Sequence, residues 1–462
     1  MSLSFLLVFL LTLPIYAVLL YYLIIIAFAS RSKDKSVVKE DARDFSIEVV
    51  VPVRGEPLEI VKNTLLRNKE AYESTPCVKK VVILSDDDVQ YFETLKRELE
   101  GFSKVEVLRR SQPKGGRTGA LDHYFSYSTS DYILVLDVDG TIDKESLNSL
   151  CMLSGSEAAY VLPWKGYSLD KTRVAETMAF FTDLGSLILY RLRSKAGFFV
   201  FPLGSGTLYN RDAIIRLGGW GDNIVQDDIL MGVKLASNGF STRLLENSEI
   251  QVLVPSKLYS LRKQQARWAF GTSEVLSRNF KRILDSPLPL YKRMEMFAYL
   301  LQPLETLLPF LVLVLAPIVA LLERPSTPFS YQFMNVIGIF LPAAILGLLQ
   351  GFLLYELEKN RLKGLFKYYI INLGRFSAIL AVLSPYLSFY ALKGLLRGKI
   401  KWEVTLKGQK EKISPKEKSP LWIAAWSGLG IASSMMTGNL YTLFVSLLFM
   451  LASLYCLLRL EL

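Results

Sequence analysis

Asp137 and Asp139, in the run Asp-Val-Asp-Gly, are the residues best suited by type and spacing to do chemistry. They follow the apolar run 132–136, which reads as a strand. Side chains two apart in an extended segment point the same way. Two carboxylates leaving a strand end together hold a hard divalent cation, which in turn binds a diphosphate. The plain alternative is an acidic turn, since Asp-Gly is common after strands. A second acidic pair, Asp227 and Asp228, opens a helix-like run that Asn238-Gly239 closes. Carboxylates at a helix N-terminus stay ionised with help from the dipole, so one caps the helix and one is available as a base. Gln264, Arg267 and Trp268 sit at i, i+3 and i+4 and share one helix face. A guanidinium there pairs with phosphate oxygens and an indole stacks on the C–H face of a sugar. An amphipathic helix lying on a membrane accounts for the same residues, given Lys257, Arg262, Lys263 and Arg278 nearby, and the two readings are compatible.

Other counts exclude chemistry. With one histidine, His123, a histidine-cluster metal site and a Ser-His-Asp triad are both ruled against. The three cysteines, Cys77, Cys151 and Cys456, are far apart and are expected to be packing residues, with no zinc pattern and no disulfide framework. Acid–base work therefore falls to aspartate or glutamate. The formal net charge is +11. Without a basic motif interleaved with aromatics, nucleic acid is not an expected partner. The excess suits membrane orientation, anionic lipid headgroups or a phosphorylated substrate.

The elements that must position these residues follow from hydrophobic patterning. The chain has 462 residues, 51% of them hydrophobic, and the apolar ones are clustered. Residues 1–30 carry no charge and predict a retained membrane helix rather than a cleaved signal, because the apolar run is too long and no positive residue precedes it. Arg31, Lys33, Lys35 and Lys39 follow at once, which places what comes next in the cytoplasm. Residues 31–286 read as one globular α/β domain with interfacial helices. Its apolar runs 47–53, 81–84, 105–108 and 132–136 do not alternate, so they predict buried strands of a mostly parallel sheet with helices on both faces. In such sheets ligands bind at the carboxyl ends of strands, where the acidic clusters lie. Residues 287–395 hold further membrane segments, with spans at 297–322 and 329–355. The loop 356–363 and the linker 396–420 are both basic, and a C-terminal transmembrane hairpin covers 421–462. With basic segments on either side, 365–395 is expected to be re-entrant or interfacial, kinked near Pro385, unless the charge rule fails here; Arg375 then needs a polar partner or a place at the interface.

In order along the chain come Val51-Pro52-Val53-Arg54-Gly55-Glu56, Leu84-Ser85-Asp86, the run from Lys114 to Asp122, Asp137-Val138-Asp139, Gln226-Asp227-Asp228 and Gln264-x-x-Arg267-Trp268. This set resembles membrane-integrated family 2 glycosyltransferases, among them cellulose, chitin and hyaluronan synthases and ceramide glucosyltransferase. The resemblance covers about residues 45–275, and the flanking membrane helices lie in similar places. It implies a GT-A domain, a Rossmann-like nucleotide-diphospho-sugar transferase fold, joined to a multi-pass helical membrane region. By the same resemblance Glu56 and Asp86 contact the nucleoside, and Lys114 and Arg117 belong to the donor site. Asp137 lies near the diphosphate, Asp139 binds Mg2+ or Mn2+, and Gln264, Arg267 and Trp268 hold diphosphate and acceptor. Asp227 matches the catalytic aspartate of the family's Thr-Glu-Asp motif, with Val225-Gln226 departing from it and Asp228 a second candidate. Residues 402–407 of the linker also resemble a cytoplasmic segment of some relatives.

The expected activity is inverting, metal-dependent transfer from a nucleotide-sugar, expected to be UDP-linked, to a lipid or a growing polysaccharide at the cell membrane. The rival reading is a polysaccharide export protein with a non-catalytic nucleotide-sugar-binding domain, or a nucleotidyltransferase on a similar sheet. Sugar, acceptor, processivity and oligomeric state stay open at this level.

Overall fold

The computed structural model describes residues 2–32, 45–221, 224–357, 365–400, 405–406 and 408–461. The basic residues 33–40, the loop 358–363, Lys407 and the segment 402–404 lie outside the described residues. The strands are β1 Ile47–Val53, β2 Val78–Ser85, β3 Val105–Arg109, β4 Tyr132–Val135, β5 Ala159–Val161, β6 Trp164–Tyr167, β7 Thr207–Asn210, β8 Thr242–Leu244 and β9 Ile250–Leu253. Seven form one sheet in the order β3-β2-β1-β4-β7-β5-β8, and β6 pairs with β9 in a small second sheet. In the larger sheet β7 alone runs antiparallel to its neighbours. The strands β5 to β9 were not legible in the sequence. They are three or four residues long, too short to display a period.

Helices α1 Leu3–Arg31, α2 Leu58–Ser74, α3 Val89–Leu99, α4 Gly116–Tyr127 and α5 Lys144–Leu150 alternate with the first strands. Then come α6 Arg173–Gly185, a π-helical turn at Ser186–Leu192, α7 Arg193–Lys195, α8 Arg211–Arg216, α9 Asp227–Ser237 and α10 Leu258–Leu284. The unbroken Val/Ile runs of β1 and β2 have a simple cause: both faces of the sheet are covered. Val49, Val51, Val81 and Ile83 pack under α2, α3 and α5, while Val50, Val82 and Leu84 pack against α4 and α9. Burying each such side chain contributes about 1.5–3 kcal/mol, so both residue parities are under the same pressure to be apolar.

After α10 come α11 Leu290–Leu301, α12 Leu307–Leu322, α13 Phe329–Leu357, α14 Leu365–Leu395, α15 Gln409–Lys412, α16 Ser419–Thr437 and α17 Leu440–Leu458. Five helical stretches among the described residues are long and apolar enough to cross a membrane: Leu3–Arg31, Leu290–Leu322, Phe329–Tyr355, Tyr368–Leu395 and Leu440–Leu458. The expected span near 421–438 is not among them. Its serines and glycines dilute the hydropathy, although it packs as a hairpin against α17.

Helix α14 continues through Pro385 without interruption, and it lies against the α/β domain at both ends. Near its start Arg375 pairs with Glu176 of α6 at 2.8 Å, and Phe376 stacks on Phe181 at 3.9 Å. Near its end Arg262 lies over the Tyr386 ring at 4.3 Å, and Arg397 donates to the Ser277 carbonyl at 2.9 Å. Arg375 thus has the polar partner its position requires. The linker also lies on the α/β domain. Lys410 donates to the Gly55 carbonyl at 3.2 Å, and Glu411 accepts from the backbone N–H groups of Ser256 and Lys257 at 2.9 and 3.2 Å.

One expectation is overturned. Cys77 and Cys151 are joined in a disulfide with a Cα–Cα distance of 5.7 Å. Cys77 precedes β2 and Cys151 ends α5, and the packing of α2 beside α5 on one face of the sheet brings them together. A separation of 74 residues hides that meeting from the sequence. Cys456 is buried and free, a packing residue as expected.

Candidate active site

Parallel pairing of β1 with β2 and β4 sets Glu56, Asp86 and Asp137 just beyond the carboxyl ends of three adjacent strands. Arg117 is the hub of the cleft. It sits in the first turn of α4, after the turn Lys114-Gly115-Gly116, where Gly115 and Gly116 have φ +75 and +57. Positive φ at two successive positions suits glycine and aims the helix start into the cleft. Arg117 donates to Asp137 Oδ1 at 3.0 Å, to Asp227 Oδ2 and to the Gly204 carbonyl. One guanidinium therefore joins the turn after β4, the loop before β7 and the start of α9.

Residues 137–140 form a turn, with Gly140 N–H donating to the Asp137 carbonyl at 2.9 Å. The expectation of two side chains carried on an extended segment is corrected: the strand ends at Val135. The Asp137 side chain is 44% exposed in the cleft, whereas Asp139 is buried. Among the described residues no group of three or more His, Cys, Asp and Glu side chains forms a closed metal cage. The carboxylate pair nonetheless has the donor chemistry of a hard divalent cation, with remaining positions for oxygens of a ligand.

Asp227 and Asp228 occupy the first turn of α9, both buried. Asp227 faces Arg117. Asp228 accepts from the Ile229 N–H at 2.8 Å and lies under Gly204, where a Cβ would come within 3.3 Å of its Oδ2. Burial, and then the neighbouring Asp227 charge, push the Asp228 carboxyl up to about 7. Burial also raises Asp227, opposed by Arg117.

Asp86 was expected at the nucleoside. Its carboxylate is engaged by Arg110, whose Nε donates to it at 2.6 Å, and both side chains are buried. Arg110 also donates to the carbonyls of Lys114 and Gly116 at 3.1 and 3.2 Å, so the pair fixes the turn that delivers Arg117. Lys114 itself is exposed, and Glu56 is half-buried beyond the carboxyl end of β1. Gln264, Arg267 and Trp268 are half-buried on α10, and Arg267 donates to Thr405 Oγ1 of the linker at 3.1 Å. Burial lowers the Arg267 pKa, opposed by Asp137, Glu56 and Asp227. Trp268 lies 6.1 Å from Trp164, whose indole N–H donates to the Ser205 carbonyl at 2.6 Å.

The sequence reading missed Arg110, Trp164 and the Gly204-Ser205 loop. Ser205 Oγ accepts from the Asp137 N–H at 3.0 Å and leaves no room for a Cβ at Gly140, which would approach it to 2.7 Å. The available signal was the small-residue run Gly204-Ser205-Gly206 between apolar segments.

A mostly parallel sheet with carboxylates and an arginine hub at its carboxyl edge defines a GT-A-type transferase fold. Residues 132–354 match the model of "Glycosyl transferase family group 2". A "Probable glycosyltransferase" of Sulfolobus acidocaldarius is 29% identical over 407 residues, covering 86% of this chain and 85% of that protein. The Staphylococcus aureus poly-beta-1,6-N-acetyl-D-glucosamine synthase is 26% identical over 212 residues, 44% of this chain and 49% of that protein's length. In fold, the chain is similar to the mannosyltransferase PcManGT from Pyrobaculum calidifontis, solved in complex with GDP-Man and Mn2+. The TM-score is 0.59 at 18% identity, covering 86% of this chain and 100% of that one. The chain is thus similar to family 2 glycosyltransferases over residues 132–354, and it joins that region to helical stretches long and apolar enough to cross a membrane.

Proposed function

We propose that this chain performs inverting, metal-dependent transfer of a sugar from a nucleotide-diphospho-sugar to a membrane-associated acceptor, either a lipid or a growing polysaccharide. The observation that carries the proposal is the Arg117 hub, which brings Asp137 and the Asp227-Asp228 pair to one cleft. Asp137 and Asp139 would hold a divalent cation, Mg2+ or Mn2+, which would supply charge neutralisation to the leaving diphosphate. The PcManGT complex with Mn2+ supports a divalent cation, and its GDP-Man places GDP-sugars beside UDP-sugars as donors to test. Glu56 lies where a nucleoside is expected, and Lys114, Arg117 and Arg267 add positive charge around the phosphates. An indole pair, Trp268 with Trp164, offers an apolar face to a sugar ring.

In the transfer, the acceptor oxygen forms its bond to the anomeric carbon as the bond to the diphosphate oxygen breaks. The hydroxyl proton passes to a carboxylate. Family register favours Asp227 for that role; its surroundings favour Asp228. Asp227 is held in an ion pair with Arg117, which opposes the rise that burial gives its carboxyl. Asp228 is raised toward neutrality and lies under Gly204, next to the loop that receives Trp164. A base poised near the working pH is the most effective one. We therefore assign the base to Asp228 and a positioning role, through Arg117, to Asp227.

Contacts support a reading of the membrane-facing arrangement. Because the stretch from Asn372 to Arg397 contacts the catalytic domain at both ends, about 35 Å of it helical at 1.5 Å per residue, we read α14 as an interfacial helix rather than a simple crossing. The catalytic domain and the linker then share the cytoplasmic side, as their Lys and Arg excess predicts. The deciding experiment incubates purified protein with UDP- and GDP-sugars and extracted membrane lipids and analyses products. Release of nucleoside diphosphate coupled to glycosylation of an acceptor supports the proposal. Donor binding without turnover across the panel favours the export reading.

A further inference from the structure

The backbone of the turn carrying Asp137 and Asp139 is held at several points. Ser205 Oγ accepts from the Asp137 N–H at 3.0 Å, and the Tyr167 hydroxyl donates to the Asp139 carbonyl at 3.1 Å. Thr141 exchanges both backbone hydrogen bonds with Gln251 at 2.9 Å. Two further groups, the Gly140 carbonyl and the Ile142 N–H, converge on one side chain. Asn68 Nδ2 donates to the Gly140 carbonyl at 3.0 Å, and Asn68 Oδ1 accepts from the Ile142 N–H at 2.9 Å. The amide is 1% exposed, and Nδ2 also reaches the Tyr72 hydroxyl at 3.0 Å.

Asn68 stands in the middle of α2, on the buried stripe of Val61, Thr64, Leu65, Ala71 and Tyr72. A buried polar residue there costs helix propensity and desolvation, which its hydrogen bonds to the turn offset. The polarity of those bonds is fixed, because one partner is a carbonyl and the other an N–H. Aspartate would keep the bond from Ile142 but set an oxygen against the Gly140 carbonyl. Leucine would match the shape and leave both backbone groups buried and unpaired.

We propose that Asn68 is a positioning residue for metal binding: it clamps the Asp137–Ile142 turn from behind and so sets the two carboxylates for a divalent cation. This rests on the metal-dependent reading above. Partners that orient metal ligands change metal affinity by about 10- to 100-fold when removed. Tyr167 acts in the same way on the Asp139 carbonyl, with one hydroxyl at stake.

The test uses the full-length protein in detergent. Mn2+ is titrated by electron paramagnetic resonance with GDP and, separately, with UDP, and nucleotide binding is also measured in EDTA. Wild type is expected to bind Mn2+ with at least one of the two. Asn68→Asp and Asn68→Leu are expected to weaken Mn2+ by about tenfold or more, while nucleotide binding in EDTA stays as in wild type. Unchanged Mn2+ affinity in a folded variant overturns the inference. An equal loss of nucleotide binding in EDTA does so too, since that marks a general structural role. Should both variants fail to fold, Tyr167→Phe carries the test: a severalfold weaker Mn2+ affinity supports the clamp, and an unchanged one overturns it. Wild-type protein that binds nucleotide but never Mn2+ overturns the metal reading itself, and the inference with it.

Discussion

Arg117 and Asp227 meet across the floor of the cleft, 110 positions apart in the chain, and the same guanidinium also holds Asp137. Both members of the pair are largely shielded, at 19% and 12% side-chain exposure. Removing one partner of such a pair leaves a charge without compensation. Arg117→Met is expected to lower stability by about 2–4 kcal/mol, the scale for breaking a largely buried pair. It should also abolish transfer, because Asp227 and Asp137 then repel each other. Thermal unfolding in detergent and a nucleotide-release assay check the two effects. A variant as stable and active as wild type would remove Arg117 from the centre of the site.

The base assignment separates through two substitutions. Asp228→Asn keeps size and the bond from Ile229 N–H but cannot take a proton, so turnover should fall by about 100-fold or more. Asp227→Asn should retain more activity and lose mainly the Arg117 pairing. If Asp227→Asn is the inactive variant and Asp228→Asn turns over normally, the family register was right and the surroundings misled.

The pH dependence has a defined sign. With its carboxyl raised to about 7, Asp228 is protonated below that pH and unable to act as a base. Turnover in wild type should therefore fall as pH drops through about 7. For stability, the folded state binds the proton more tightly than the unfolded state, so νN exceeds νU between the unfolded carboxylate range near 4 and about 7. The contribution of this group is thus favourable at low pH and is lost as pH rises to about 7. Asp228→Asn should flatten that part of a melting-temperature profile; an unaltered profile would show that the carboxyl titrates normally.

Metal dependence is read directly. EDTA should abolish transfer, and added Mn2+ or Mg2+ should restore it. Asp139→Ala should resist that restoration and bind nucleoside diphosphate more weakly in calorimetry with metal present. Full activity in EDTA would sink the metal reading.

The Cys77–Cys151 bond closes a loop of 74 residues. In the chain-entropy account such a cross-link contributes about 4 kcal/mol. Replacing both cysteines with alanine should lower the unfolding temperature by several degrees. Under denaturing, non-reducing conditions a single free thiol, Cys456, should react. Three reactive thiols would show that the bond does not form in the cell that makes the protein.

Lys416 is exposed on the linker that contacts the catalytic domain. In a background without the other cysteines, Lys416→Cys should resist a membrane-impermeant thiol reagent applied to intact cells and react after lysis. Rapid labelling in intact cells would place linker and catalytic domain outside the membrane.

The sequence by itself determined the features that local chemistry dictates. Strands β1 and β4 were legible because a strand covered on both faces must be apolar at every position, and 47–53 has almost nothing else. The membrane segments followed from length and hydropathy, and the acidic pairs from their place at strand and helix ends. What the tertiary structure alone decided are relations between distant positions. The resemblance assigned Arg117 to the donor site, but only packing set it against Asp227 and Asp137. Asn68 gave no signal in the sequence, and its role appears only where the turn at 140–142 folds over it. Cys77 and Cys151 read as unrelated because nothing local encodes the meeting of α2 and α5. Asp227 and Asp228 are chemically alike in one dimension; burial and one guanidinium make them different in three. Apolar patterning records how much surface each element must hide, but which side chains then share a cleft depends on how the hidden faces pack.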